Sequence, residues 1–225
     1  MIKGKKPTDV AHAELQQAFV FLNERLFQSQ LPDALITLQR KNPRCLGYFS
    51  ANRFGNTRVA DVVDEIAMNP QHFMAEPGEI LQTLAHEMVH MWLAHYGARK
   101  SAKAYHNAEW GAKMEAIGLM PSNTGKPGGK KTGQQMMDYV IAGGLFEKAA
   151  RELIDGGFRP TYYDRDQPKQ REVAGAPDGD GSDEEAKPAS SSGRRKKYVC
   201  PGCAWQLWGK AGFKAKCVDC DELLI

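Results

Sequence analysis

His86-Glu87-Met88-Val89-His90 places two imidazoles and a carboxylate in one short run. At about 100° per residue in an α-helix, His90 lies about 40° from His86, one turn along, so the two rings share a face. Imidazoles placed this way chelate a single zinc ion. Glu87, about 60° from His90 on the helix wheel, flanks the metal and suits a general base acting on zinc-bound water. A catalytic zinc needs a third protein ligand and an open fourth position. His106 is the favoured third ligand, because the turn region ARKSAKAY is long enough to bring the chain back ahead of a second helix. Glu109 and His95 are the alternatives, although His95 lies about 180° from His86 and is expected to pack on the far side. Leu81, Leu84, Met88, Trp92 and His95 form the expected buried face, which leaves the His pair beside a cleft. An oxyanion donor is also required, and Tyr105 and Tyr48 are the candidates.

Cys200-Pro201-Gly202-Cys203 and Cys217-Val218-Asp219-Cys220 carry a second metal signal. Two C-x2-C pairs at this spacing read as a zinc ribbon, whose tight knuckles build a closed, structural four-thiolate site. Two disulfides are the competing reading. A module of about 28 residues is too small to fold on an apolar core alone, so the metal supplies the missing free energy. Cys45 is left over and is expected to be a buried, inert thiol. Tyr198, Trp205, Trp208 and Phe213 interleave with Lys210, Lys214 and Lys216, after the basic run Arg194 to Lys197. They read either as a nucleic-acid contact, with rings on bases and cations on phosphates, or as the module's core beside a solvated linker.

The elements that must position these groups are of mixed type. Leu15, Ala18, Phe19, Leu22 and Leu26 recur at helical spacing behind Thr8 or Asp9 as N-cap. Residues 35–40 and 46–54 read as strands that pair with each other, and 65–69 as a short strand closed by Pro70. The motif helix is predicted from Pro77 to about His95, stopped by Gly97. A shorter helix is predicted from Asn107 to Ile117, and another over 145–154. Residues 121–133 read as a solvated Gly-rich loop carrying Lys126, Lys130 and Lys131. Without βαβ alternation the fold class is α+β with a small sheet.

The chain has 225 residues, 42% hydrophobic and 25% charged, a globular composition. Its net charge of +3 is too small to imply nucleic-acid binding on its own. No apolar run approaches the roughly 20 residues that span a bilayer, so no membrane partner and a reducing, cytoplasmic location are expected. Residues 164–197 hold one Val and no other large apolar side chain. Such a segment cannot offset the entropy of ordering and reads as a disordered linker. The expected organisation is therefore a domain over 1–163, a linker over 164–197 and the ribbon over 198–225.

The run HEMVH, His106 in HNAEW, and the upstream FLNERLFQSQLPDALITLQR and LGYFSANRF together resemble the SprT-like zinc metalloproteases, which include bacterial SprT and the eukaryotic Spartan proteases. The four-cysteine tail is similar to the ribbon that closes SprT proteins. The resemblance implies a minimal zincin fold, with one catalytic zinc on His86, His90 and His106, Glu87 as the catalytic residue, and one structural zinc on Cys200, Cys203, Cys217 and Cys220. It implies zinc-dependent endopeptidase activity on protein substrates. From the Spartan branch it further implies DNA-associated substrates, DNA as a partner and a nucleoid-associated location. A non-catalytic, zinc-dependent binding protein for DNA or a DNA-associated partner is the alternative.

Overall fold

A computed structural model describes residues 6–40, 42–98, 105–167, 196–209, 212 and 214–224. The chain divides into two units, Met1–Ser182 and Asp183–Ile225. Most of the linker expected over 164–197 lies outside the described residues, as do Arg194, Lys210 and Phe213. Among the described residues no helix is long and apolar enough to cross a membrane.

The first unit is α+β. Helix α1 (Pro7–Phe27) starts with Pro7 in its first turn and Lys6 as N-cap. The cap expected at Thr8 or Asp9 is therefore two or three residues too late. Proline pre-sets the first helical φ and has no N–H to orphan, so it outweighs a capping side chain. The helix buries Leu15, Ala18, Phe19, Leu22 and Leu26, as its spacing requires. It ends where Gln28 turns left-handed, with φ of 57°. Asn23, largely buried, then holds the following turn by donating to the Leu31 carbonyl at 3.0 Å and accepting from the Leu31 N–H at 3.2 Å.

Strands β1 (Ala34–Leu38), β2 (Gly47–Gly55) and β3 (Val62–Met68) form a sheet of order β1-β3-β2. β1 runs parallel to β3, with Ile36 opposite Ile66, and β2 runs antiparallel, with Phe49 opposite Ile66. The expected pairing of β1 with β2 is wrong: β3 lies between them. Its run from Asp64 to Met68 is buried throughout, the signature of a central strand, whereas β1 and β2 each carry exposed positions.

Helix α2 (Pro77–Tyr96) packs on the inner face of this sheet. Gly47 on β2 sits tightly against both β3 and α2: a Cβ there would lie 2.9 Å from the Ala67 carbonyl oxygen and 3.1 Å from Thr83 Cγ2. Gly47→Val is therefore expected to destabilise the first unit by about 1–3 kcal/mol. Urea unfolding measures this, and an unchanged midpoint would contradict the tight approach.

Helix α3 (Ala108–Ile117) is capped by Asn107, whose side chain accepts from the Trp110 N–H at 2.8 Å, and stops at Gly118, with φ of 96°. Two short strands follow, β4 (Leu119–Ser122) and β5 (Met137–Val140), then helix α4 (Leu145–Asp155). The β4–β5 ribbon pairs Pro121 with Asp138 and bounds a loop that the sequence assigns to residues 121–133 entirely. Four-residue strands, one holding a proline, carry too little alternation to be recognised. The loop is tied down by Ser122, which donates to the Lys126 carbonyl at 2.6 Å, and Lys131 pairs with Glu115 at 2.8 Å. Phe19, Phe27, Leu84, Met88, Trp110 and Phe146 are among the large side chains of the core, which α1, α2, α3 and α4 share with the sheet.

The second unit pairs β6 (Lys196–Val199) with β7 (Gln206–Gly209) in antiparallel register. Its core is small: Tyr198, Leu224 and the thiols of Cys200 and Cys217.

Candidate metal centres

α2 presents His86 and His90 one turn apart, with ring centroids separated by 5.2 Å. The apolar stripe meets expectation at Leu81, Leu84 and Met88, but α2 is buried on more than one side: His86 is 5% and Glu87 2% exposed. His106, fully buried, arrives on the residue before the α3 N-cap. It is fixed there by a two-way backbone bridge to Gly133, and its Nδ1 also faces the Gly133 carbonyl at 3.1 Å. The Nε2 atoms of His90 and His106 face each other at 3.0 Å. One nitrogen from each of His86, His90 and His106 can be chosen so that all lie within 4.8 Å of one another. Facing imidazole nitrogens at this distance share either a proton or a cation, and three of them make a donor set that suits zinc.

Trp110 forms the floor of this cluster. It is fully buried, with centroids 5.0 Å from His86, 5.4 Å from His90 and 4.3 Å from His106. The packing explains why Asn107 matters: its cap sets the first turn of α3 and so places Trp110 beneath the rings. The other two candidates for a third ligand point elsewhere. His95 is at the surface, its Nε2 2.6 Å from Asp64 Oδ2, and Glu109 accepts from the Ala98 N–H at 2.8 Å.

A cleft of about 410 Å³ opens beside His86 and Glu87. Met68, Phe73, Ile80 and Met136 make much of it apolar. Tyr48 and Tyr105, the candidate oxyanion donors, are not among its lining residues. Strand alternation puts Tyr48 on the face opposite Gly47, and burial followed by the charge of Glu65 pushes its phenol up to about 12. Three contacts around the histidine cluster were not legible as site residues. Asp138 Oδ2 lies 2.8 Å from His86 Nδ1. Gln82 Nε2 donates to Asp138 Oδ1 at 2.7 Å. The third is the Gly133 carbonyl beside His106.

In the second unit, Cys200, Cys203, Cys217 and Cys220 bring their sulfurs within 4.8 Å of one another. The thiols are free, with Cys203 and Cys217 Sγ 3.7 Å apart, so the disulfide reading is not realised. The two knuckles repeat one pattern. The N–H of Cys200 donates to the carbonyl of Trp205 and that of Cys217 to Glu222, both at 2.8 Å. Ala204 and Asp221 each donate back to the first cysteine of their knuckle at 2.9 Å. Both adopt left-handed backbone, with φ of 60° and 57°. The Cys203 backbone N–H chiefly draws the Cys200 thiol down to about 7, while the Cys203 side chain chiefly pushes Cys220 up to about 12. Four cysteine sulfurs converging this closely are a soft donor set that fits zinc.

Tyr198 takes the buried place expected of an aromatic in so small a module. Trp205 and Trp208 do not: they are 55% and 63% exposed, and Trp208 stands opposite Lys197. Cys45 is buried and its thiol meets the Gly47 carbonyl at 2.9 Å, as a structural cysteine would.

Comparison with known proteins agrees with these features. The model of the SprT-like family matches residues 15–127, half of the chain, and spans His86, Glu87, His90 and His106. A Salmonella typhimurium protein described as an uncharacterized protein in the mucB 3′ region is 48% identical over 60 residues, which are 27% of this chain and 80% of that one. No solved structure matches. On the extent of the family match, and with the histidine cluster inside it, this chain belongs to the SprT-like family.

Proposed function

We propose that the chain is a zinc-dependent endopeptidase, with His86, His90 and His106 holding the catalytic ion and Glu87 acting as general base. The observation that carries this reading is the convergence of three imidazoles, one of which, His86, lines a cleft together with the buried carboxylate of Glu87. Held by these three histidines, a zinc ion would supply Lewis acidity to the scissile carbonyl and to the attacking water. Glu87 takes the proton of the attacking water and passes it to the leaving amine. A site built only to hold metal needs no such carboxylate, which favours catalysis over a purely binding role. The apolar floor of the cleft suits a peptide with a large apolar side chain next to the scissile bond.

Cys200, Cys203, Cys217 and Cys220 hold a second, structural zinc, in a ribbon that follows the linker of residues 164–197. The protein works in a reducing, cytoplasmic compartment, where thiolates remain available to metal. The exposed Trp205 and Trp208, with Lys197 opposite Trp208, favour DNA as a partner: rings stack on bases while the cation meets phosphate. Substrates bound to DNA, in the nucleoid, are then brought to the cleft by the ribbon.

Digestion of an unfolded protein substrate with and without single-stranded DNA tests this. Cleavage that stops in a chelator and rises with DNA is expected. DNA binding without any cleavage would instead favour a non-catalytic, zinc-dependent binding protein.

A further inference from the structure

We propose that Asp138 is the positioning residue of the three-histidine centre, holding His86 in the one tautomer that can bind metal, with Gln82 fixing the carboxylate. The proposal rests on the reading of His86 as a zinc ligand. It assigns a role to a residue that lies beyond the 15–127 span of the family match.

Both oxygens of Asp138 are committed. Oδ2 lies 2.8 Å from His86 Nδ1, and Oδ1 accepts from Gln82 Nε2 at 2.7 Å. Gln82 also donates to the Asp138 backbone carbonyl at 3.0 Å, and it sits one turn before His86 on α2. The carboxylate is thus clamped between two side chains on the same helix face. The pair is largely withdrawn from water, with side chains 7% and 6% exposed. An ionised carboxylate accepts and cannot donate, so the proton of this contact sits on His86 Nδ1. A neutral imidazole protonated at Nδ1 has its lone pair on Nε2, the remaining ring nitrogen.

Charge points the same way. Three neutral imidazoles bring no negative charge to a divalent ion, and a buried uncompensated charge is costly. Asp138 and Glu87, both lining the cleft, supply two carboxylates. The β4–β5 ribbon therefore belongs to the metal centre. Its strand β5 carries the partner of His86, and the loop it closes carries Gly133, the partner of His106.

The test uses the full chain and two readouts that need no catalysis. The first is the imidazole 15N spectrum of the metal-free protein, which distinguishes the two tautomers. The wild type is expected to show His86 protonated at Nδ1, and Asp138→Ala to lose that preference. The second is zinc affinity by chelator competition. Asp138→Ala and the near-isosteric Asp138→Asn are expected to weaken zinc at the histidine site by about 10- to 100-fold, with the four-cysteine site unchanged as internal reference. Gln82→Ala is expected to have a smaller effect of the same sign. Wild-type tautomer and affinity in Asp138→Asn and Asp138→Ala would overturn the proposal, as would weakening of both zinc sites alike, which marks lost folding. If zinc binding depends on Asp138 yet no peptide is cleaved, the peptidase reading fails and this one stands.

Discussion

Glu87→Gln is expected to keep its zinc and to lose about 10²- to 10⁴-fold in peptide hydrolysis, the contribution of a positioned general base. The substitution removes a proton acceptor and one negative charge while keeping the shape of the side chain. Glu87 is 2% exposed, so a side chain of nearly the same volume is needed to avoid a cavity, and glutamine provides it. None of the three clustered imidazoles is touched. Turnover of a quenched peptide and metal analysis of the same sample measure the two halves of the expectation. Unchanged hydrolysis would refute the role of Glu87. Loss of zinc along with activity would make the carboxylate part of the metal's hold and leave the base unidentified.

A strong chelator is expected to unfold residues 196–224 while leaving residues 6–167 folded. The contrast follows from what each unit buries. The first has a shared core of large apolar side chains, including Phe19, Leu22, Leu84, Met88 and Trp110. The second buries Tyr198 and Leu224 beside two cysteines, and leaves Trp205 and Trp208 in solvent. Structural zinc contributes about 10–16 kcal/mol of apparent binding energy in modules of this kind, and that energy is folding energy. In 1H–15N spectra, the amides of the ribbon should collapse to unfolded positions on chelation while those of the first unit stay dispersed. Dispersed ribbon amides without metal would show that the module folds on its own side chains.

What the sequence discloses here is what is written locally. HEMVH on a helix opened by Pro77, and two cysteine knuckles, are short-range patterns whose chemistry follows from spacing alone. His106 is recognisable because it stands at the start of α3, ahead of a clear Asn107 cap. Strand order is different in kind. β1 and β2 are neighbours in sequence, yet each pairs with β3, because burial of the whole run Asp64–Met68 decides the centre of the sheet. Asp138 was hidden for the same reason: it lies 52 residues from His86, on a strand of four residues with no pattern of its own. The two exposed tryptophans also escape a rule that puts aromatics inside, because four cysteines leave the ribbon little interior to fill.

The proposed chemistry requires one zinc ion among His86, His90 and His106 and a second among the four cysteines. Zinc counted per chain, in the wild type and in His106→Ala and Cys217→Ala, tests it most directly. Two ions are expected in the wild type and one in each variant. A single ion in the wild type, or two retained after His106→Ala, would contradict it.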